Sequence, residues 1–207
     1  MINFEHNTID LNLFKNVLRQ IRFEPDRALD IIDSFSENQF KSKQLLLSTL
    51  DNLNILSSEM SVAIFGCWYG SILVPALAPQ VNKIHCIDLD DLAIRIGKNR
   101  LFENLENVKW HTGNCFEKGK ITGTPVLFIN TSCEHMKPMK EWDHWIELKE
   151  LTYFAVQSNN MYQIEGHINC VNSLDEFKAQ MPNGAKILYE NELPDERGIR
   201  YTLIGKL

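Results

Sequence analysis

The sequence lacks a CxxC pair, a run of basic residues and a long apolar stretch. Its five cysteines, Cys67, Cys86, Cys115, Cys133 and Cys170, are scattered and odd in number. That pattern suits neither a disulfide framework nor a structural zinc site. No apolar run approaches the roughly 18 to 20 residues of a membrane span. The opening "MINFEHNTID" has neither the basic n-region nor the apolar h-region of a secretion signal. A cytoplasmic, reducing setting with no membrane partner is the expectation. The formal charge is -6 and lysines and arginines form no long run, which argues against a tight, sequence-independent grip on a phosphate backbone. There is no internal repeat and no low-complexity tract.

What remains is a chain of 207 residues, 44% hydrophobic, long enough to bury one full core. The first sixty residues read as helical. Ile9, Leu13, Val17, Leu18 and Ile21 recur at helical spacing, and Pro25 can open a second helix because proline at the first helical position wastes no hydrogen bond. Ser36 and Gln39 form a capping box, with Phe35 and Phe40 as its hydrophobic staple. From residue 61 the texture changes. "SVAIF", "KIHCID", "NVKWH", "PVLFIN" and "YFAVQS" read as strands, with helices at "GSILVPALA", "DLAIRIGKNRLFEN" and "MKEWDHWIELKE" between them. This alternation implies βαβ units and a mostly parallel sheet covered on both faces. Ser173 and Glu176 cap a further helix, and "AKILYENEL" and "IRYTLIGKL" flank "PDERG" as a closing antiparallel hairpin.

In an open α/β sheet, ligands gather beyond the carboxyl ends of the strands. The ends here carry "GCWYG", Asp88, "TGNCF", "NTSCEHM" and "QSNNMY". Gly66 and Gly70 give the first strand-to-helix turn its backbone freedom, and amides at the following helix start can face a ligand. No GxGxxG fingerprint is present, so a ligand without a pyrophosphate is favoured. Asp88, 22 residues after Gly66, can accept both hydroxyls of a ribose; its simpler role is to cap the helix beside Asp90 and Asp91.

These residues carry a resemblance. "VAIFGCWYG" resembles the first motif of the class I S-adenosylmethionine-dependent methyltransferases, "CIDLDDLAIRIGKNR" their acidic second motif, and "NVKWHTGNCF" their third. The "NTSCEHM" and "QSNN" segments are similar to those of phage-encoded members. The likeness runs from about Ser61 to Leu207. It implies an α/β, Rossmann-like, doubly wound and mostly parallel seven-stranded sheet with a C-terminal antiparallel hairpin, in residues 59–207, beneath an N-terminal helical cap in residues 1–58. It implies S-adenosyl-L-methionine as cofactor, with Gly66, Cys67 and Gly70 along its methionine part, Asp88 at the ribose, Leu89 on the adenine, and Asn114 and Cys115 near the adenine amino group. Two positions depart from the family pattern. Ile64 replaces an acidic residue often found two places before the first glycine, and Trp68 replaces the middle glycine. Trp68 and Tyr69 either pack against the helices or present a ring to the sulfonium and the substrate.

The acceptor side falls on "NTSCEHM". Nucleic-acid amino methyltransferases show D/N-P-P-Y/F here, and this chain shares only Asn130. His135 is a candidate base near neutral pH, with Glu134 orienting it or binding an ammonium group and Ser132 touching substrate. Adjacent residues on a helix point in different directions, however. Cys133, Glu134, His135 and His144 match no metal motif, so no metal is expected. Gln157, Ser158, Asn159 and Asn160 either cap a loop or recognise a polar molecule. Trp142 and Trp145 read as core or interface residues, and His167 has no assigned role. The expected activity is methyl transfer to N or O of a small polar molecule or a protein side chain. The rivals are a nucleic-acid methyltransferase acting on tRNA or DNA and an inactive cofactor-binding module.

Overall fold

Alternation of buried side chains along five β-branched runs builds two cores, one on each face of a single sheet. The computed structural model describes residues 10–117, 126–142 and 152–207. Its strands are β1 (Ser61–Phe65), β2 (Lys83–Asp88), β3 (Val108–Thr112), β4 (Val126–Asn130), β5 (Thr152–Asn159), β6 (Lys186–Asp195) and β7 (Gly198–Lys206). They are ordered β3-β2-β1-β4-β5-β7-β6. The first five are parallel to their neighbours, while β7 runs antiparallel between β5 and β6. Strand order reverses between β1 and β4, so the carboxyl ends of those two strands open a crevice.

On one face Val62, Ile64, Ile84, Cys86, Leu127 and Ile129 form one cluster; on the other Ala63, Phe65, Ile87, Phe128, Phe154 and Val156 form a second. The helices are α1 (Leu11–Phe23), α2 (Ala28–Asp33), α3 (Glu37–Asn52), α4 (Leu73–Leu77), α5 (Asp91–Ile96) and α6 (Leu174–Lys178). Ser36 caps α3 by accepting the Gln39 N–H, as the capping box predicts. Leu46, Leu47 and Leu50 of α3 are fully buried in the same cluster as Val62 and Ile204. That helix therefore covers the sheet directly, and Gln157 of β5 donates to the Ser42 carbonyl at 2.9 Å. Pro75 lies in the first turn of α4, where its missing N–H costs no helical bond.

The long helix expected after β2 widens instead. Beyond Ile96, residues Gly97–Leu101 form a π-helical turn. A Cβ at Gly97 would lie 2.6 Å from the Trp110 ring of β3, so glycine lets the helix close onto that tryptophan. After β4, Met139–Glu141 is a 3-10 turn; the rest of the helix expected there, with His144 and Trp145, lies outside the described residues, as does Ile9. The closing hairpin forms as expected, with β6 reaching Asp195 and β7 starting at Gly198. Among the described residues no helix is long and apolar enough to cross a membrane.

Candidate functional site

The crevice beyond β1 and β4 deepens into a cavity of about 960 Å³, within the usual range for small-molecule and cofactor sites. One half is built by the loop after β1. Gly66 has φ +61° and Gly70 φ +69°, and a Cβ at Gly66 would meet Met136 Cε at 2.5 Å. Between them Trp68 also takes a left-handed backbone, φ 49°, a conformation that costs a side-chain-bearing residue about 1 to 2 kcal/mol. Its N–H donates to Asp88 Oδ2 at 2.6 Å, and Asp90 N–H donates to Oδ1 at 2.9 Å. Each carboxylate oxygen thus holds one amide, and Asp88 lines the cavity with acceptor capacity left over.

Leu89 stands 72% exposed at the cavity wall, while Asn114 folds into a turn, accepting the Phe116 N–H at 3.0 Å and donating to Glu117. Cys67 and Cys115 line the same half. Burial pushes the Cys67, Cys115 and Cys133 thiols up, Cys115 to about 12, so none is a thiolate nucleophile at neutral pH.

The helical segment is anchored to this loop. Tyr69 is fully buried, with its hydroxyl accepting from Arg27 Nε at 2.8 Å. Arg27 also pairs with Asp90, and Ser34 bonds Ser71 at 2.7 Å. Tyr69, expected at the substrate, therefore spends its polar end on Arg27, the residue just before α2. Trp68 packs at 4.9 Å between ring centroids on Tyr69 and is half-buried against the core.

The other half is the wall where the sequence expects the acceptor. Asn130, expected in a catalytic role, is fully buried: it accepts the Ser132 N–H and donates to the sulfurs of Met136 and Met139. It shapes the loop from beneath. Gln157, Asn159 and Asn160, expected at the substrate, also turn inward. Gln157 bonds Ser42 and Thr202, Asn160 accepts the Ile199 N–H, and Asn159 donates to Glu134 Oε1 at 2.6 Å. Loop and strand packing uses these amides, because strand-end backbone must be satisfied once it is buried.

Ser132, Glu134 and His135 do line the cavity. Glu134 is buried with Arg200 Nη1 3.5 Å from Oε1, and exposed His135 places Nδ1 3.0 Å from the Gly166 carbonyl. A carbonyl only accepts, so Nδ1 carries a proton and, in the neutral ring, Nε2 is the nitrogen with the lone pair. Cys133 is buried with Sγ on the Asn130 carbonyl.

No protein-family model matches this sequence, and no curated protein does. Solved structures do. The N-methyltransferase NodS from Bradyrhizobium japonicum WM9, in complex with S-adenosyl-L-homocysteine, superposes with TM-score 0.63 at 12% identity, covering 94% of this chain and 98% of that one. This chain has the class I S-adenosylmethionine-dependent methyltransferase fold. A geranyl diphosphate methyltransferase in complex with S-adenosylmethionine gives TM-score 0.60 at 16% identity over 80% and 84% of the two chains. An S-adenosylmethionine-dependent methyltransferase from Aquifex aeolicus gives 0.56 at 14% over 83% and 98%.

Within this methyltransferase fold, three residues without an assigned role in the sequence join the cavity. Lys43 and Arg200 reach it from α3 and β7, and His167 from the loop after β5, while Arg27, outside the lining, pairs with Asp90 beside Asp88. Burial, aided by the Arg200 charge and opposed by Glu134 and Asp33, lowers the Lys43 ammonium to about 7. No local motif marks these positions; each is chemically ordinary until the sheet brings it to the crevice.

Proposed function

We propose that the chain is an S-adenosylmethionine-dependent methyltransferase acting on N or O of a small polar molecule or a protein side chain. One observation carries this reading. A single cavity joins the loop of Gly66, Trp68 and Gly70 and the Asp88 carboxylate to a polar wall of Ser132, Glu134, His135, Lys43 and Arg200.

The cofactor half fits its group. Asp88 keeps lone pairs for two ribose hydroxyls, and the close approach at Gly66 keeps the floor at backbone thickness. When bound, S-adenosylmethionine supplies an electrophilic methyl group. Gly66, Cys67 and Gly70 line its methionine part, and Leu89, Asn114 and Cys115 its adenine. The half-buried Trp68 sits where its ring can face a cation. The wall opposite then has only to hold the acceptor in line, since orientation supplies most of the rate in such a transfer. Ser132, Lys43 and Arg200 orient the acceptor, and His135 lines the wall beside it.

Acidic and basic residues both line the cavity, Asp30, Asp33, Glu117 and Glu141 together with Lys43, Lys137, Arg197 and Arg200. That mixed rim supports a compact polar acceptor over a phosphate backbone, which favours a single-sign surface. Incubation with labelled S-adenosylmethionine and separated fractions of metabolites, protein, RNA and DNA tests the reading. Label in the small-molecule or protein fraction is expected; label confined to nucleic acid, or none in any fraction, overturns it.

A further inference from the structure

We propose that Glu134, His135 and His167 form a divalent-metal site in the acceptor wall. One donor atom from each lies within 4.8 Å of the other two. In a metal site with bonds near 2.1 Å the donors stand about 3 to 3.5 Å apart. Small side-chain rotations close that difference around an ion.

The carboxylate is prepared for a cation. Glu134 is 3% exposed, yet its two oxygens are treated unequally. Oε1 accepts from Asn159 and lies beside Arg200, whereas Oε2 is buried without a hydrogen-bond partner among the described residues. A buried carboxylate oxygen left unpaired is costly, so such an atom calls for a ligand. Asn159 and Arg200 act as the outer partners that fix a ligating carboxylate, leaving one oxygen to bind.

The imidazoles are prepared in the same way. Proton donation from His135 Nδ1 to the Gly166 carbonyl fixes the ring and presents Nε2, the arrangement that orients metal-bound histidines. The His167 ring lies edge-to-face on it, 4.6 Å between centroids at 89°. Backbone bonds hold the two segments together: Ile168 and Asn169 N–H both donate to the Glu134 carbonyl at 2.9 Å, and the Asn169 amide donates to the Cys133 carbonyl. His167 is therefore delivered by a loop latched onto Glu134 itself. The spacing of the "NTSCEHM" segment alone excluded a metal motif because the third ligand lies 32 residues beyond His135.

Two imidazoles and one carboxylate suit a first-row divalent ion such as Zn²⁺, Mn²⁺ or Fe²⁺ and leave coordination positions open. All three residues line the cavity, so the open positions face it. His135 Nε2 then serves as a ligand and not as a free base. Resting on the methyl-transfer reading, the consequence is an acceptor that binds through oxygen, a hydroxyl or carboxylate held on the ion with Arg200 beside it.

The test uses the untagged full chain, stripped with chelator and titrated with Zn²⁺ by calorimetry and Mn²⁺ by electron paramagnetic resonance. One equivalent is expected, with affinity reduced at least tenfold in His167→Ala and in Glu134→Gln. His167→Ala alters a half-exposed loop residue and is the decisive variant if Glu134→Gln fails to fold. No uptake at millimolar metal, or uptake unchanged by His167→Ala, overturns the site. A parallel titration with S-adenosylhomocysteine separates the two readings. Its binding without metal uptake overturns the metal site alone; metal uptake without it leaves the site standing and overturns the methyl-transfer reading.

Discussion

The backbone N–H of Trp68 donates to the Asp88 carboxylate at 2.6 Å from a left-handed residue that is not glycine. The loop after β1 and the end of β2 are thereby one unit, and the carboxylate expected to hold the ribose also holds the turn. Replacing Asp88 with alanine removes both. S-adenosylhomocysteine affinity, measured by calorimetry, should fall at least about tenfold, and unfolding free energy in urea should drop by about 1 to 3 kcal/mol for the orphaned amide. Unchanged affinity would place the cofactor elsewhere.

Trp68 offers a comparison of two truncations. Trp68→Gly and Trp68→Ala lose the same packing on Tyr69 and the core, but only glycine relieves the left-handed backbone. The glycine variant should be more stable than the alanine variant by about 1 to 2 kcal/mol. Equal stabilities in urea titrations would show that the loop relaxes when the ring is gone.

Arg27 joins α2 to both sides of the cofactor half through Tyr69 and Asp90. Arg27→Ala leaves the buried Tyr69 hydroxyl without its donor and should cost about 1 to 3 kcal/mol. Hydrogen exchange should quicken in α2 while β1 and β4 keep their protection. Arg27→Lys should recover little, since one ammonium cannot repeat a guanidinium's two-sided reach.

Lys43 gives a pH signature. Its folded-state pKa of about 7 lies below the ordinary 10.5. Below pH 7 both folded and unfolded chains carry the proton, so the cost of the enclosed charge is felt in full. Between about 7 and 10.5 the unfolded chain binds more protons, and stability conferred at this position rises with pH. Lys43→Met should therefore stabilise the metal-free chain most at pH 6, with the gain shrinking toward pH 10. A gain independent of pH in thermal melts would mean that the ammonium is solvated.

The parallel strands, the crevice and Asp88 were legible in the sequence because they follow from local apolar patterning and from where polar residues interrupt it. Ile64, odd as a departure from the family motif, is simply a core residue of β1, 1% exposed. The acceptor wall was less legible. Asn130, Gln157, Asn159 and Asn160 look like ligands at strand ends, yet packing against α3, β7 and the Met136–Met139 turn consumes them. Lys43, Arg200 and His167 lie on three distant segments, and only tertiary contact gives them a common purpose. Gly97 was read as an interior helical residue; its role depends on Trp110, a contact across the sheet edge that helical periodicity cannot encode.

The position of β7 between β5 and β6 bears on biosynthesis. Among the seven strands β7 leaves the ribosome last, yet among the described residues it is the one strand that pairs with β6, and it carries Arg200 to Glu134. Until β7 emerges, a nascent chain holds an unpaired β6 and a Glu134 carboxylate without its arginine. The Glu134 side of the crevice is therefore completed only once β7 has slotted between β5 and β6, as the sheet itself is zipped shut.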